Sequence, residues 1–156
     1  MPPCFDVSVS VRTGDHPALL ARFIDKYVDT GQPGDPRFDA FIRTFVSRMP
    51  APGDGTVLAE LRRDESAHGA LSLYLRAKAH RGAIITITEE GDLVLGLGLD
   101  DPCNAPETVR QAADLITSLR IEYGARAGIA GVALPPPQSE SEWDDHGLVQ
   151  LREGHL

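Results

Sequence analysis

The sequence predicts an α+β fold: an antiparallel sheet with about three helices that pack mainly on one of its faces. Two patterns support this prediction. In several segments apolar residues alternate with polar ones, which is typical of strands with one buried face, and in others they recur at helical spacing. The length of 156 residues suits one domain. We expect that domain to cover residues 1–156 and to end in a proline-rich, acidic segment, 135–156.

The strongest strand signal is a meander of three antiparallel strands at residues 70–100. In 71–79 every second residue is apolar, and the β-branched run 84–88 fits a pleated surface. After a turn at 89–92, leucines again occupy alternate positions in 93–99. We expect the helices to pack on the sheet that this meander begins.

The segment before the meander, 56–63, leaves two interpretations open. It fits a strand that turns Val57 and Leu61 inward, and it also fits the start of a helix that continues toward Ala70, because Leu, Ala and Arg favour helices. The same residue types occur in 71–79. There we favour the strand, because the alternation is strict.

One strand and two helices are predicted in the first third of the chain. Residues 5–11 alternate as a strand, and Asp-His-Pro at 15–17 begins a helix with proline at the first helical position. A second helix follows Asp-Pro at 35–36. We interpret the aromatic stripe of 38–46 as core packing rather than as a site for an aromatic ligand.

A third helix, one strand and a short edge strand are predicted in the last third. Asn104 and Glu107 have the spacing of a capping box, and the helix that they open stops at Gly124. A strand near 127–134 leads into three consecutive prolines, which cannot continue pairing in a sheet. A small edge strand is expected at 148–151.

Charge and composition narrow the classes of partner. The chain has 15 Lys and Arg against 23 Asp and Glu, a formal charge of −8, and such a surface repels phosphate backbones and anionic lipid. We therefore expect no nucleic acid and no membrane as partner, and we favour a basic protein. The chain has no apolar run that could span a bilayer and no secretion pattern. We expect a cytoplasmic protein in which Cys4 and Cys103 are reduced.

Sequence motifs predict no catalytic residue, cofactor or metal site. Gly96 and Gly98 lack the third glycine and the following helix of a dinucleotide motif, so we expect them to allow close packing in a strand. Asp100 and Asp101 are interpreted as residues of a turn, because adjacent strand side chains point to opposite faces. Histidines occur singly, without zinc spacing. Cys103, near a helix start, is the more reactive thiol of the two.

Clustered acidic side chains are the remaining signal. They lie in two groups, and a tryptophan exposed within the second group would form a contact site for a basic protein surface. The predicted partner-binding residues are Glu89, Glu90, Asp92, Asp100, Asp101, Glu140, Glu142, Trp143, Asp144 and Asp145. In the alternative, Trp143 folds back and covers the edge of the sheet.

Three segments carry a resemblance to a known class of proteins. The meander ending GLGLDDP, the helix capped by NAPE and the segment GVALPPPQSESEW resemble parts of the small immunity proteins of bacterial polymorphic-toxin and type VI secretion systems. The resemblance implies a protein that binds one cognate toxin and occludes its active surface. Such toxins are often basic nucleases, which suits the acidic charge. No single residue is identified as a toxin contact by this resemblance.

Two other functions remain open at this point. One is a small-molecule-binding or enzymatic α+β domain with a pocket between the helices and the meander, near Gly96, Gly98, Asp100 and Cys103 (the region Gly96–Cys103). The other is a self-associating subunit, a homodimer formed through a sheet edge. A deep pocket lined by convergent polar groups would favour the small-molecule function. A flat or convex acidic face without such a pocket would favour the toxin inhibitor.

Overall fold

The computed structural model describes residues 4–62, 70–100, 106–144 and 148–156, and in it six strands form one antiparallel sheet. The order across the sheet is β2-β3-β4-β1-β5-β6. The strands are β1 (Cys4–Val11), β2 (Leu71–Leu75), β3 (Gly82–Ile87), β4 (Leu93–Asp100), β5 (Ala127–Val132) and β6 (Leu151–Gly154). This confirms the predicted α+β class, the meander, the N-terminal strand and the strand near 127–134.

Helices occupy five parts of the described chain. They are α1 (His16–Tyr27), α2 (Phe38–Phe41) with the π-helical turn Ile42–Val46 directly after it, α3 (Asp54–Ala59), α4 (Pro106–Tyr123) and α5 (Glu140–Asp144). Helix α3 decides the first part of the ambiguous segment 56–63 in favour of a helix, but this helix ends at Ala59 and does not continue through residues 60–62. None of the helices that the structure describes is long and apolar enough to cross a bilayer.

Local signals explain the ends of the two long helices. The Asp15 side chain accepts a hydrogen bond from the Ala18 N–H, which satisfies a free donor in the first turn of α1. Gly124 follows α4 with φ +65°, a conformation that favours glycine. Asn104, the predicted cap of α4, lies outside the described residues.

The strand predicted at 71–79 ends early, at Leu75. Beyond it the backbone leaves the sheet and bonds to the connection after α1: the Arg76 N–H donates to the Pro33 carbonyl and the Lys78 N–H to the Tyr27 carbonyl. The alternation of apolar residues continues beyond the end of β2, because Ala77 is also buried. The edge strand predicted at 148–151 lies slightly later, as β6.

The main core fills one face of the sheet. The inward residues of β1 and β4 pack against α1, α2 and α4, and full burial of a large apolar side chain contributes roughly 1.5–3 kcal/mol each. The fully buried large members are Phe5, Phe23, Phe41, Leu20, Leu73, Ile85, Leu93, Leu95, Leu97, Ile116 and Leu119. This is the helix-covered face that the sequence predicts.

The opposite face of the sheet is also partly covered. Ser8 and Ser10 alternate with the core residues of β1, yet they are only 2% and 3% exposed. The chain returns across this face after β5, and a second apolar cluster forms there from Val94, Ala127, Ile129, Leu134 and Trp143. Helix α5 therefore lies on the side opposite to α1 and α4.

Candidate ligand-binding cleft

A cleft of about 370 Å³ opens on this second face, between β2 and the segment that follows β5. Its floor is formed by Gly82 and Ile84 of β3 and by Gly98 of β4. Tyr74 of β2 stands on one side, and the segment 133–136 stands on the other. The volume lies within the usual range for small-molecule pockets, roughly 300–1,000 Å³.

Missing side chains make the floor of the cleft deep. Gly82 and Gly98 pair across β3 and β4, so two neighbouring positions on the same face carry no side chain. A Cβ at Gly98 would lie 2.8 Å from Cys4 Sγ, which is too close, whereas a Cβ at Gly82 would meet only the Leu75 carbonyl oxygen at 3.6 Å. Gly98 thus allows the close approach of Cys4, as expected for a glycine in a strand. Gly82 leaves space in the cleft that a side chain could fill.

Backbone contacts to β1 hold the opposite wall in place. The Ala133 N–H donates to the Cys4 carbonyl at 2.8 Å, and the Leu134 N–H donates to the Asp6 carboxylate. Ala133 has φ +49°, a conformation that costs a non-glycine residue roughly 1–3 kcal/mol. The strained turn directs the chain into Pro135 and Pro136, which form the rim.

Three polar side chains line the cleft: Cys4, Asp6 and Arg81. The Cys4 thiol donates to Asp6 Oδ1 at 3.3 Å, and burial together with the negative charge of Asp6 raises the pKa of Cys4 to about 12. Burial also raises the pKa of Asp6, although the hydrogen bonds from Cys4 and Leu134 and the charge of Arg81 oppose that shift. Cys4 is therefore a neutral donor at physiological pH and not a nucleophile.

Arg81 lines the cleft, and its guanidinium pairs with the exposed Asp100. Its Nη1 donates to Asp100 Oδ1 at 2.7 Å, and the Asp100 side chain is 62% exposed. Exposed ion pairs of this kind contribute little to stability, so the guanidinium can exchange Asp100 for an anionic group of a ligand at small cost. The cleft combines a carboxylate acceptor, a cationic donor and apolar walls, an arrangement that binds and orients a molecule.

A smaller cleft of about 220 Å³ lies on the other side of Tyr74. It is lined by Leu61, Ser72, Tyr74, Pro135, Pro136 and Gln138. Gln138 is 5% exposed, and its Nε2 donates to Ser72 Oγ at 3.2 Å. Sequence reasoning did not identify Tyr74, Arg81 or Gln138, because nothing local marks residues that meet only in the folded sheet.

The structure brings Glu90, Asp92 and Glu140, which belong to both predicted acidic groups, together near Arg12, whereas Asp100 lies apart from them beside Arg81. Asp92 is buried and accepts two hydrogen bonds from Arg12, at 2.9 and 3.0 Å, while Arg126 approaches at 3.5 Å. Glu140 accepts from Arg12 at 2.6 Å, and its own N–H donates to Glu90. Asp92 and Glu140 thus hold α5 to the end of β1 through shared arginines.

The structure contradicts the expectation that Trp143 is exposed. Trp143 is 2% exposed and packs in the second apolar cluster, so the alternative in which it folds back onto the sheet is the one observed. Burial of this large ring against Val94, Ile129 and Leu134 stabilises the fold. Glu89, Glu90 and Asp144 are exposed, Glu142 is half-buried, and Asp101 and Asp145 lie outside the described residues. The contact role of these acids stays a prediction.

Within residues 4–62, 70–100, 106–144 and 148–156, no group of three or more His, Cys, Asp or Glu side chains is placed to hold a metal ion. Cys103 lies outside these ranges. Comparison with protein-family models, with curated proteins and with solved structures finds no match.

Proposed function

We propose that this protein binds a small, largely apolar molecule in the cleft between Tyr74 and the segment 133–136. The observation that carries the proposal is the cleft itself, about 370 Å³ with polar groups converging on an apolar floor. The cleft includes Gly98, which the sequence placed near the pocket of the small-molecule alternative. It lies on the face of the sheet opposite to α1 and α4, however, and not between the helices and the meander as expected.

The lining defines the chemistry of the ligand. Ile84, Leu134 and the prolines offer an apolar surface to its body, and the Tyr74 ring, 57% exposed, offers a face for stacking. The Asp6 carboxylate accepts a hydrogen bond from a donor group, and Arg81 pairs with an anionic group. The protein in this proposal is a binder, because Cys4 stays protonated.

Filling the cleft is expected to abolish binding. Gly82→Leu places a side chain on the floor without a backbone clash, because its Cβ has only an ordinary contact with the Leu75 carbonyl. The fluorescent probe 1-anilinonaphthalene-8-sulfonate, an apolar ring system with one anionic group, is expected to bind the unaltered protein with a Kd on the order of 10–100 µM. The variant should bind it at least tenfold more weakly, as measured by fluorescence titration.

The matched control is Gly14→Leu, at an exposed turn where an added Cβ meets nothing within 4 Å. It should leave the Kd unchanged, and both variants should unfold at the temperature of the parent. Equal probe binding by the parent and Gly82→Leu would contradict the proposed site.

A second candidate is the toxin inhibitor suggested by the resemblance to immunity proteins. The observation in its favour is the formal charge of −8, with Glu89, Glu90 and Asp144 exposed on the described surface. In this proposal the acids attract and orient a basic toxin, and the inhibitor acts by occlusion alone. The buried Trp143 takes no part in the contact.

Charge reversal tests this second candidate. The product of a neighbouring toxin-like reading frame is expressed together with the protein, and the complex is purified. The triple change Glu89→Lys, Glu90→Lys and Asp144→Lys should weaken the complex at least tenfold and reduce its dependence on salt. The control, Asp25→Lys with Asp114→Lys on exposed positions of α1 and α4, should not. Undiminished binding by the triple variant would rule out this contact face.

A further inference from the structure

Gln138 has a hydrogen-bonding group that the described part of the protein does not use. The residue is 5% exposed, its Nε2 donates to Ser72 Oγ, and Ser72 Oγ shares a 2.8 Å hydrogen bond with Thr86 Oγ1. Its Oε1 is buried and has no hydrogen-bond partner. A buried acceptor left without a donor destabilises the fold, and a donor supplied by a ligand would remove that cost.

The position of Gln138 is fixed by its neighbours. Its backbone carbonyl accepts the Glu89 N–H at 2.9 Å, which ties the covering segment to the turn between β3 and β4. Its side-chain amide is held by the pair of hydroxyls on β2 and β3. Gln138 lines the smaller cleft, so its unpartnered Oε1 belongs to the wall of that cleft and is held in place before a ligand binds.

The two clefts share one boundary. Tyr74, Pro135 and Pro136 line both the larger and the smaller cleft, and the Tyr74 side chain is substantially exposed. An elongated molecule that passes between the tyrosine ring and the prolines enters both cavities. Its apolar body then occupies the larger cleft, and one end enters the smaller cleft beside Gln138.

We infer that the smaller cleft is the hydrogen-bonding end of the same ligand site and that Gln138 Oε1 accepts from a neutral donor, an amide N–H or a hydroxyl, at one end of an elongated apolar ligand. This inference rests on the proposed small-molecule function. It adds a chemical class to it, because a molecule that ends in an ester or ether offers Gln138 no donor.

Two probes that share a biphenyl body and differ in their terminal group test the inference. Biphenyl-4-carboxamide carries a terminal N–H donor, and methyl biphenyl-4-carboxylate does not. We expect the amide to bind about five- to tenfold more tightly than the ester, the amount that one buried hydrogen bond contributes. Affinities are measured by the chemical-shift changes of backbone amides in an NMR titration, with Gly82 and Gly98 reporting the larger cleft.

Variants assign the preference to Gln138. In Gln138→Met, which preserves the length of the side chain, the ratio of the two affinities should fall to about one. In Gln111→Met, at an exposed position of α4, the ratio should stay unchanged. If Gln138→Met only loosened the fold, the affinities of both probes would decrease and the ratio of the two affinities would stay the same. That result would show that Gln138 is not the acceptor.

The remaining outcomes separate this inference from the proposed function. If both probes shift Gly82 and Gly98 equally, the larger cleft binds ligand and the role of Gln138 is wrong. If the ester binds more tightly than the amide, Gln138 does not act as the acceptor. If neither probe shifts these glycines, the inference and the small-molecule function both fail.

Discussion

Replacing Trp143 with alanine is expected to lower the free energy of unfolding by about 3–5 kcal/mol, because it removes the largest side chain of the second apolar cluster and leaves a cavity. Trp143 is 2% exposed and packs with Val94, Ile129 and Leu134, so little neighbouring structure is free to collapse into the space. Urea or thermal unfolding, followed by circular dichroism, measures the loss.

An exposed apolar residue provides the comparison. Ile121 on α4 is 79% exposed, and Ile121→Ala should change the free energy of unfolding by no more than about 0.5 kcal/mol. If Trp143→Ala were as mild as Ile121→Ala, the ring would not be packed, and an exposed contact residue would again be the better interpretation of Trp143.

The Cys4 thiol is expected to resist alkylation at pH 8 by about a thousandfold relative to an ordinary cysteine. Burial and the Asp6 carboxylate raise the pKa of Cys4 from 9.0 to about 12, and each unit of pKa reduces the reactive thiolate tenfold. Because the pKa is raised, the rate should keep increasing with pH beyond about pH 10, where an ordinary thiol of pKa 9.0 is already mostly thiolate. Iodoacetamide labelling in a Cys103→Ser background, quantified by mass spectrometry, measures Cys4 alone.

Removal of the neighbouring charge tests the cause. Asp6→Asn deletes the carboxylate that accepts the thiol hydrogen at 3.3 Å, so the rate of alkylation should increase. Asp114→Asn, on the far side of the sheet, should leave the rate unchanged. Labelling of Cys4 in the parent as fast as in the urea-unfolded chain would show that the thiol is neither buried nor paired with Asp6.

The strands could be predicted because their sequence repeats every second residue. Strand β1 and the three strands of the meander each bury alternate side chains against the helices. The local alternation of apolar and polar residues is therefore enough to predict these strands. The same pattern failed at the end of β2. Ala77 is buried outside the sheet, beside Val28, and no local signal distinguishes that burial from a further strand residue.

The candidate site could not be predicted to the same extent. Ser8 and Ser10 have the spacing of a solvent-facing row, and only the return of Leu134 and Trp143 across the sheet buries them. The cleft depends on residues far apart in the chain, among them Asp6, Tyr74 and Pro136. The charge pattern of the sequence did not indicate which acids form ion pairs inside the protein, and Asp92 and Glu140 both pair with Arg12.

The central position of β1 has a consequence for how the protein is made. Its neighbours are β4 and β5, and Val9 pairs with Leu95 on one side and Gly128 on the other. During synthesis at roughly 5–20 residues per second, β1 waits on the order of ten seconds for its first neighbour. The nascent chain therefore carries an unpaired strand edge in β1 until β4 has been synthesised. That edge is where we expect a chaperone to hold the chain before the sheet closes.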